Sequence, residues 1–547
     1  MPGRQGEGDP MADDAWWRGA VIYEIYPRSF QDSDDDGIGD LPGITARLEH
    51  VAGLGVDAIW IAPFMRSPQQ DFGYDVEDYR AVDPRFGTLD DFDRLLRRAH
   101  DLGLRVIIDL VASHTSDRHP WFVESRGSRR NPKAKWYVWA DPKPDGTPPN
   151  NWLSVFGGPA WQWEPRRRQY YLHNFLAAQP DLNWHDPALR QAMLSEATFW
   201  LERGVDGFRL DAIDFALHDP LLRDDPPRFG DEPLPGGLRA GTPYARQRHR
   251  FSKAHPAVPE RVLAPLRRLA DRHGAMLLGE LSGDGQLERA AIYTQGDDAL
   301  HCAYTFDLLE VPLQAAAIRR TITALEAVIG DGWPCWSFGN HDVVRAVTRL
   351  GGRGASPALT RLLPALLGSL RGTVCLYQGE ELGLPEADLD FADLRDPVGL
   401  ALYPEFPGRD GCRTPMPWCS DAPYAGFSTV RPWLPVPDAH LALAVDRQVT
   451  DPNSVLNATR RFLTWRRGQP ALRLGRIRFL DAPEPLLAFT REHPDGSLLC
   501  LFNLGAEPAI WTVPFQVGVT SGHGFSASLK GRTVSLPGHG AFFGRLG

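Results

Sequence analysis

Eight short, mostly apolar segments separated by helical patterns recur along the chain, and they constrain the fold more than any other feature. Their length and continuous apolar character are typical of strands buried on both faces of a parallel sheet. Eight strand and helix units in succession favour a closed (β/α)8 barrel, the TIM-barrel architecture, over an open sheet. The predicted strands span residues 20–26, 57–64, 105–111, 207–210, 275–279, 302–306, 335–339 and 373–377.

The segments between these strands carry clear helix signals. Residues 88–103 place Phe92 and Leu96 on one apolar stripe, and Thr88 stands where it can cap the first turn. A second helix is predicted over residues 186–203, directly before the fourth strand.

Two stretches depart from this alternation. Residues 113–184 are rich in Trp, Pro, Asn and Arg and are too long for a loop without structure of its own, which predicts a small inserted domain. After about residue 470, short alternating strands predict an antiparallel β-sandwich. The predicted units are a disordered leader (1–14), the barrel or domain A (15–112 and 185–468), the inserted domain B (113–184) and the C-terminal domain C (469–547).

Composition argues against several classes of protein. The formal charge of −10 disfavours non-specific nucleic-acid binding, which needs a basic surface. No apolar run has the length of a membrane span, and residues 1–14 lack the apolar core of a signal peptide. Six cysteines scattered over 547 residues favour reduced thiols. We therefore expect a cytoplasmic monomer or homodimer without nucleic-acid or membrane partners.

The stretch DSDDDGIGD at residues 32–40 has the acidic spacing of a calcium loop. An EF-hand needs a bidentate Glu at position 12, where this chain has Gly43, and a strand pattern instead of a helix precedes the loop. A single structural ion and a solvated acidic turn are the two remaining interpretations. The predicted ion ligands are the side chains of Asp32, Asp34, Asp36 and Asp40 and the carbonyl group of Ile38.

Polar residues stand at the carboxyl ends of the predicted strands, where the active site of such a barrel forms. Asp109 and His114 follow the third strand, Arg209 and Asp211 end the fourth, Glu280 ends the fifth, and His341 and Asp342 follow the seventh. Arg209 is expected to lower the pKa of Asp211 and keep it ionised, because the two residues share one face of their strand. Burial is expected to raise the pKa of Glu280 and keep it protonated. One ionised and one protonated carboxyl group are the working pair of a glycosidase.

Several stretches occur together in an order that resembles the α-amylase superfamily of glycoside hydrolases (family 13), in its oligo-1,6-glucosidase and α-glucosidase branch. They are SPQQDFGYDVEDY (67–79), DLVASHTSD (109–117), QPDLNW (179–184), GFRLDAIDF (207–215), LLGEL (277–281), FGNHDVVR (338–345) and GRDGCRTPMPW (408–418). The resemblance covers residues 16–545, and QPDLNW, within the inserted segment, marks this branch.

The resemblance implies roles for individual residues. Asp211 is expected to be the nucleophile, Glu280 the acid/base and Asp342 the transition-state stabiliser, while Asp109 ties the third strand to Arg209. The residues expected to hold the non-reducing glucose are Asp71, Tyr74, His114, Arg209, His341 and Arg413, with Arg409 as a further candidate. The branch also carries one structural divalent ion after the first strand, Ca²⁺ or Mg²⁺, and no organic cofactor.

The implied activity is that of a retaining, exo-acting α-glucosidase that releases α-D-glucose from maltose-like oligosaccharides or small α-glucosides. In this branch a Val after the nucleophile accompanies α-1,6 cleavage and a smaller or polar residue accompanies α-1,4 cleavage, and this chain has Ala212. The long loop at 219–250 is expected to shape the acceptor side and favour short substrates. A disordered surface insertion is the alternative interpretation of that loop.

Other activities share the same barrel and carboxyl groups. The stretch at 283–298 resembles α-glucosidases that also transfer glucose to sugar hydroxyl groups. An oligo-1,6-glucosidase and a glucosyltransferase or isomerase of sucrose or maltose therefore stay as alternatives. A non-catalytic carbohydrate-binding or transporter-associated relative is a remote alternative, since the three carboxyl groups are all present.

Overall fold

Eight parallel strands form a nearly closed barrel in the computed structural model, which describes residues 15–230 and 232–546. The predicted leader at 1–14 lies outside the described residues. The strands are β1 (Val21–Ile25), β2 (Ala58–Ile61), β3 (Arg105–Leu110), β4 (Gly207–Leu210), β5 (Met276–Leu281), β6 (Cys302–Thr305), β7 (Cys335–Ser337) and β8 (Thr373–Tyr377). β1 pairs with β8, with Val21 opposite Val374, and a bridge between Ala303 and Pro334 joins β6 to β7. The predicted barrel is confirmed.

Side chains from alternate strand positions fill the barrel interior in layers. Ile22, Ala58, Ile107, Met276 and Cys302 belong to one apolar cluster in its lower part. Towards the carboxyl ends of the strands the interior becomes polar, with Glu24, Asp109, Arg209 and Glu280 all buried. This change of polarity places charged groups at one end of an otherwise apolar core.

Helices follow the strands and cover the outside of the barrel. The longer ones are α1 (Leu41–Ala52), α2 (Leu89–Asp101), α3 (Pro187–Glu202), α4 (Ala264–Asp271), α5 (Gln286–Thr294), α6 (Ala315–Ile329), α7 (Pro357–Ser369) and α8 (Val455–Arg467). α2 begins with the expected cap, because the Thr88 hydroxyl accepts the Asp91 N–H at 3.2 Å and the Asp91 carboxylate accepts the Thr88 N–H at 2.9 Å. Among residues 15–230 and 232–546, no helix combines the length and apolar character needed to cross a bilayer.

Between β3 and α3 the chain leaves the barrel and forms the small inserted domain. It contains a helix (Pro120–Gly127) and a three-stranded antiparallel sheet ordered Trp139–Ala140, Gln169–Leu172, Trp161–Glu164. A bridge between His114 and Asp181 ties it back to the barrel. A second excursion, the hairpin of Met65–Arg66 and Asp78–Val82, follows β2.

The C-terminal part is a sandwich of two antiparallel sheets, as predicted. The first sheet orders Arg476–Phe479, Leu486–Glu492, Leu498–Asn503, Ala541–Leu546 and Val517–Val519, and the second orders Ala509–Thr512, Thr533–Leu536 and Ser528–Lys530. Leu499 and Phe542 of the first sheet share one buried cluster with Val534 of the second. The cluster between the sheets holds them together.

The loop after β4 is packed onto the barrel through buried charges. Asp214, fully buried, lies 3.4 Å from the Lys253 ammonium group and 3.4 Å from the Arg289 guanidinium group. Lys253 also donates to the Ser282 carbonyl at 3.0 Å, at the end of β5.

Within 219–250 itself, Arg228 donates to Asp284 at 2.5 Å. The Gly237 N–H donates to Glu310 at 3.0 Å. The described residues of the loop therefore pack on the barrel, and the alternative of a disordered insertion is wrong for them.

Candidate active site

One buried guanidinium group, that of Arg209, joins three carboxyl groups at the top of the barrel. Its Nη1 donates to Asp109 Oδ1 at 2.7 Å and to Asp211 Oδ1 at 2.6 Å, and its Nη2 donates to Glu280 Oε2 at 2.5 Å. The Tyr304 hydroxyl is a further partner at 2.9 Å. Asp211 and Glu280 thus share one cation, and we refer to them as the carboxyl pair.

Burial governs the protonation of this pair. It raises the pKa of both Asp211 and Glu280 above their ordinary values, against the opposing effect of Arg209. The raised pKa of Glu280 agrees with the prediction. The predicted net lowering at Asp211 is wrong, because the desolvation of its buried carboxyl group outweighs the attraction of Arg209. The two groups interact through a shared cation, so their protons belong to the pair and not to either residue.

Asp342 has the opposite electrostatic environment. Its carboxylate accepts from Arg409 Nη1 at 3.1 Å and from Arg413 Nη2 at 2.8 Å, with His341 Nε2 at 3.4 Å. Burial alone raises the pKa of Asp342, but the two guanidinium groups lower it well below its ordinary value. Asp342 is therefore ionised under all ordinary conditions.

His341 is packed against two tyrosine rings. The Tyr74 ring is nearly parallel to the imidazole with centroids 5.5 Å apart, and the Tyr26 ring is nearly parallel to it at 5.6 Å. The Tyr74 hydroxyl contacts His341 Nε2 at 2.6 Å, and Glu24 contacts Nδ1. Burial raises the pKa of Glu24 and lowers that of His341 to about 3, so this contact is a neutral hydrogen bond.

Gln179 links two of the predicted sugar-binding residues. Its amide Nε2 lies 3.2 Å from Asp71 Oδ2 and 3.1 Å from His114 Nε2. Asp71 also accepts from Arg409 Nη2 at 2.8 Å, and Arg409 is bound in turn by Asp396 at 2.8 Å. These contacts join the hairpin after β2, the inserted domain and the segment after β8 into one wall.

The predicted residues meet at a cavity of about 780 Å³ above the barrel. Those that line it are Asp71, Tyr74, His114, Asp211, Glu280, Asp342 and Arg409. Arg209 and His341 are fully buried and Arg413 is 1% exposed, and none of the three is among the residues that line the cavity. They contact the carboxyl groups that do line it, because those groups need buried partners, and their direct contact with a sugar stays a prediction.

Sequence reasoning missed several members of this constellation. Glu24 was hidden in a strand pattern, although a charged residue at an inward position of a buried strand is itself a signal. Gln179 lies in the QPDLNW stretch that marked the branch. Asp396 carries no local signal, since its role depends on a contact with Arg409 formed by folding.

The residue after Asp211 has an unusual backbone. Ala212 adopts φ 40° and ψ 47°, in the left-handed region, and its N–H donates to Glu280 Oε2 at 3.1 Å. A non-glycine residue there is uncommon, and a β-branched residue is more strained still. The turn thus links the two carboxyl groups through the backbone as well as through Arg209.

The acidic loop brings three of its five predicted ligands together. Single carboxyl oxygens of Asp32, Asp34 and Asp40 lie within 4.8 Å of one another, while the Asp36 carboxylate is turned to the Ile38 N–H at 2.7 Å. Burial and the neighbouring acids raise the pKa of Asp34. In the part of the chain that the structure describes, no Lys or Arg pairs with these carboxylates. This oxygen-rich donor set fits Ca²⁺ or Mg²⁺.

Comparison with known proteins agrees with this geometry. Residues 24–475 match the α-amylase catalytic domain family. The chain is 54% identical over 540 residues to a probable α-glucosidase of Rhizobium meliloti (strain 1021), with 98% of each chain covered. It is 36% identical to an oligo-1,6-glucosidase of Heyndrickxia coagulans, over 91% of this chain and 94% of that one.

A solved structure extends the similarity to three dimensions. The α-glucosyl transfer enzyme XgtA is 56% identical and superimposes with a TM-score of 0.95, over 97% of this chain and 99% of that one. The chain belongs to the α-amylase family of glycoside hydrolases, in the group that includes α-glucosidases and oligo-1,6-glucosidases.

Replacing Arg209 with Met tests the shared cation. Three buried carboxyl groups then lose their partner, and the free energy of unfolding is expected to fall by roughly 3–5 kcal/mol near neutral pH. The loss should shrink towards acid pH, because burial favours the protonated forms and a protonated carboxyl group no longer needs a cation. Urea unfolding at mildly alkaline and mildly acidic pH measures both values. Arg209→Lys, which keeps a charge, should lose less, and an equal loss for Arg209→Met at both pH values would contradict the interpretation.

Proposed function

We propose that the chain is a retaining, exo-acting α-glucosidase that releases α-D-glucose from maltose-like oligosaccharides or small α-glucosides. One observation carries the proposal: Asp211 and Glu280 share the guanidinium group of Arg209 while Asp342 is bound separately by two arginines. Two carboxyl groups that meet at one cation, with a third held ionised beside them, suit the acid and nucleophile of a glycosidase, and the retaining course is proposed from the family resemblance.

In the first step Glu280 donates its proton to the glycosidic oxygen while a carboxylate oxygen of Asp211 attacks the anomeric carbon. The C–O bond to the leaving sugar breaks, and the leaving oxygen keeps the proton. The anomeric carbon develops positive charge, which the ionised Asp342 stabilises from beside the pair.

In the second step Glu280 acts as a base. It takes a proton from water, whose oxygen bonds to the anomeric carbon as the bond to Asp211 breaks. A sugar hydroxyl in place of water gives transfer instead of hydrolysis. The glucosyl transfer activity in the name of XgtA supports transfer as a second outcome.

The glucose bound for cleavage contacts the exposed edges of Asp71, Tyr74, His114 and Arg409, which line the cavity. Three buried residues position these side chains. Arg209 binds Asp211, Arg413 binds Asp342, and His341 contacts Tyr74. Arg409 and Asp71, 4–7% exposed and paired at 2.8 Å, are proposed to form the closed inner end of the cavity, its floor, opposite the open end, its mouth. A closed floor supports an exo mode, since a longer chain has no exit beyond the first sugar.

Preference for α-1,4 linkages rests on Ala212 and on the loop after β4. Residues 237–244 of that loop line the cavity, which leaves room for short substrates. The oligo-1,6-glucosidase relative keeps α-1,6 cleavage as the alternative.

A cytosolic location is part of the proposal and is supported by six cysteines that are all free thiols.

The acidic loop is proposed to hold one structural Ca²⁺ or Mg²⁺ ion. Asp32, Asp34 and Asp40 would supply carboxylate ligands, and the ion would offset their mutual repulsion. The loop lies between β1 and α1, and Asp40 also caps α1 by accepting the Gly43 N–H at 2.6 Å. The ion's role is therefore rigidity of this corner.

Asp211→Asn and Glu280→Gln are each expected to lower kcat by about 10³-fold or more, because each removes one participant in both steps. The measurement is glucose release from maltose, with circular dichroism to show that the fold is intact. Glu386→Gln changes another carboxyl group of the same cavity and should keep most of the activity. Near-normal turnover in either catalytic variant would remove the assignment.

Initial rates on maltose and isomaltose test the linkage preference. We expect faster glucose release from maltose, because the small side chain of Ala212 accompanies α-1,4 specificity in this branch. Analysis of the products distinguishes free glucose from transfer products. A strong preference for isomaltose would overturn the α-1,4 proposal in favour of the oligo-1,6-glucosidase.

Removal of divalent ions is expected to lower the melting temperature. An ion present at 100 times its Kd stabilises the folded state by about 2.7 kcal/mol. Thermal unfolding with a chelator, and after adding back Ca²⁺ or Mg²⁺, measures the shift. Asp34→Asn should abolish it, while Asp101→Asn, an exposed acid at the end of α2, should retain it. No difference between chelated and metal-loaded protein would contradict the proposed ion.

A further inference from the structure

Arg239 is a cation on the cavity wall whose guanidinium group has no hydrogen-bond or ion-pair partner within residues 15–230 and 232–546. It belongs to the loop after β4 and lines the cavity that contains Asp211 and Glu280. Its guanidinium carbon lies 4.1 Å from the centroid of the Phe406 ring. A cation over an aromatic face is attracted to it, while its N–H groups stay available in the guanidinium plane.

The loop presents Arg239 from a fixed base. Gly237 has φ +84°, and a side chain there would lie 3.1 Å from Ser282 Cβ and 3.3 Å from the Phe306 ring. The Gly237 N–H donates to the Glu310 carboxylate at 3.0 Å. Close packing and this hydrogen bond hold the chain two residues before Arg239.

Phe406 is also supported from its own side. Its N–H donates to the Leu402 carbonyl at 3.0 Å. The same segment contains Asp396 and Arg409, and Arg409 reaches Asp342 at 3.1 Å. The contact between Arg239 and Phe406 therefore connects two anchored segments across the cavity.

Burial places this contact near the mouth and away from the floor. Arg239 and Phe406 are half-buried and their neighbours Ala240 and Glu405 are exposed, whereas Asp71 and His114 are 4% and 1% exposed. When a glucose unit is bound by Asp71 and His114 on the floor, the space at the mouth is available to the second sugar. Arg239 thus stands where the leaving group of hydrolysis, or the acceptor of transfer, lies.

We propose that Arg239 is a specificity residue for this second sugar, with its guanidinium group donating hydrogen bonds to the hydroxyl oxygens of a leaving or acceptor saccharide. The inference rests on the proposed function. A charged donor binds a hydroxyl oxygen more strongly than a neutral one, and a planar fork orients it. In transfer, the oriented hydroxyl bonds to the anomeric carbon, its proton passes to Glu280, and the bond to Asp211 breaks.

The experiment compares maltose with α-glucosyl fluoride, whose leaving group is a single atom that does not reach Arg239. Arg239→Met keeps the length of the side chain and removes the charge, and Arg239→Lys keeps the charge without the fork. Arg246→Met is the matched control, because Arg246 is an exposed arginine of the same loop outside the cavity lining. Each variant is assayed for kcat/KM on both substrates and for its melting temperature.

For Arg239→Met we expect kcat/KM on maltose to fall about 10-fold or more, from the loss of a charged hydrogen bond, with little change on glucosyl fluoride. Transfer from glucosyl fluoride to added glucose should fall in parallel. Arg239→Lys should lie between, and Arg246→Met should match the wild type. Equal losses on both substrates, or no loss on maltose, would overturn the inference and leave the glucosidase assignment intact. A wild-type protein that releases no glucose from either substrate would overturn both.

Discussion

The buried guanidinium group of Arg209 is the interaction on which the rest of the site depends. It binds carboxyl groups from β3, β4 and β5, and so fixes three strand ends relative to one another while offsetting the cost of burying them. In the proposed mechanism, the pair of Asp211 and Glu280 carries one negative charge at every stage. Asp211 loses its charge on forming the glucosyl-enzyme, and Glu280 gains one by releasing its proton. A fixed cation beside the pair therefore suits both steps without rearrangement.

A second electrostatic group serves a different purpose. Arg409 and Arg413 contact Asp342, so its pKa stays low while that of the pair is raised by burial. Carboxyl groups that line one cavity thus differ in protonation because their contacts differ. The same Arg409 reaches Asp71 and Asp396, which joins this charge to the cavity floor and to the segment that carries Phe406.

Much of the fold and of the site was predictable because it depends on local sequence patterns. Buried strands such as β3 are apolar runs in the sequence, and the cap of α2 follows from Thr88 and Asp91. The carboxyl groups at 211, 280 and 342 lie at or just after predicted strand ends. The remainder depends on contacts between distant segments. Three features arise only when segments up to hundreds of residues apart meet. They are the full burial of Arg209 and His341, the link through Gln179 and the stacking of Arg239 on Phe406. The net pKa of Asp211 likewise required its burial, which no spacing in the sequence supplies.

If Arg409 and Asp71 close the floor as proposed, the substrate enters and the products leave through the mouth of the cavity. In the proposed mechanism, the departing sugar has to clear that opening before water or a new acceptor reaches the glucosyl-enzyme, so the two half-reactions are separated by an exit and an entry. Residence of the first product at the mouth then sets how long the covalent intermediate waits. A concentrated sugar solution refills the opening quickly, so the fate of each glucosyl unit becomes a competition decided by occupancy at the entrance more than by chemistry at the anomeric carbon.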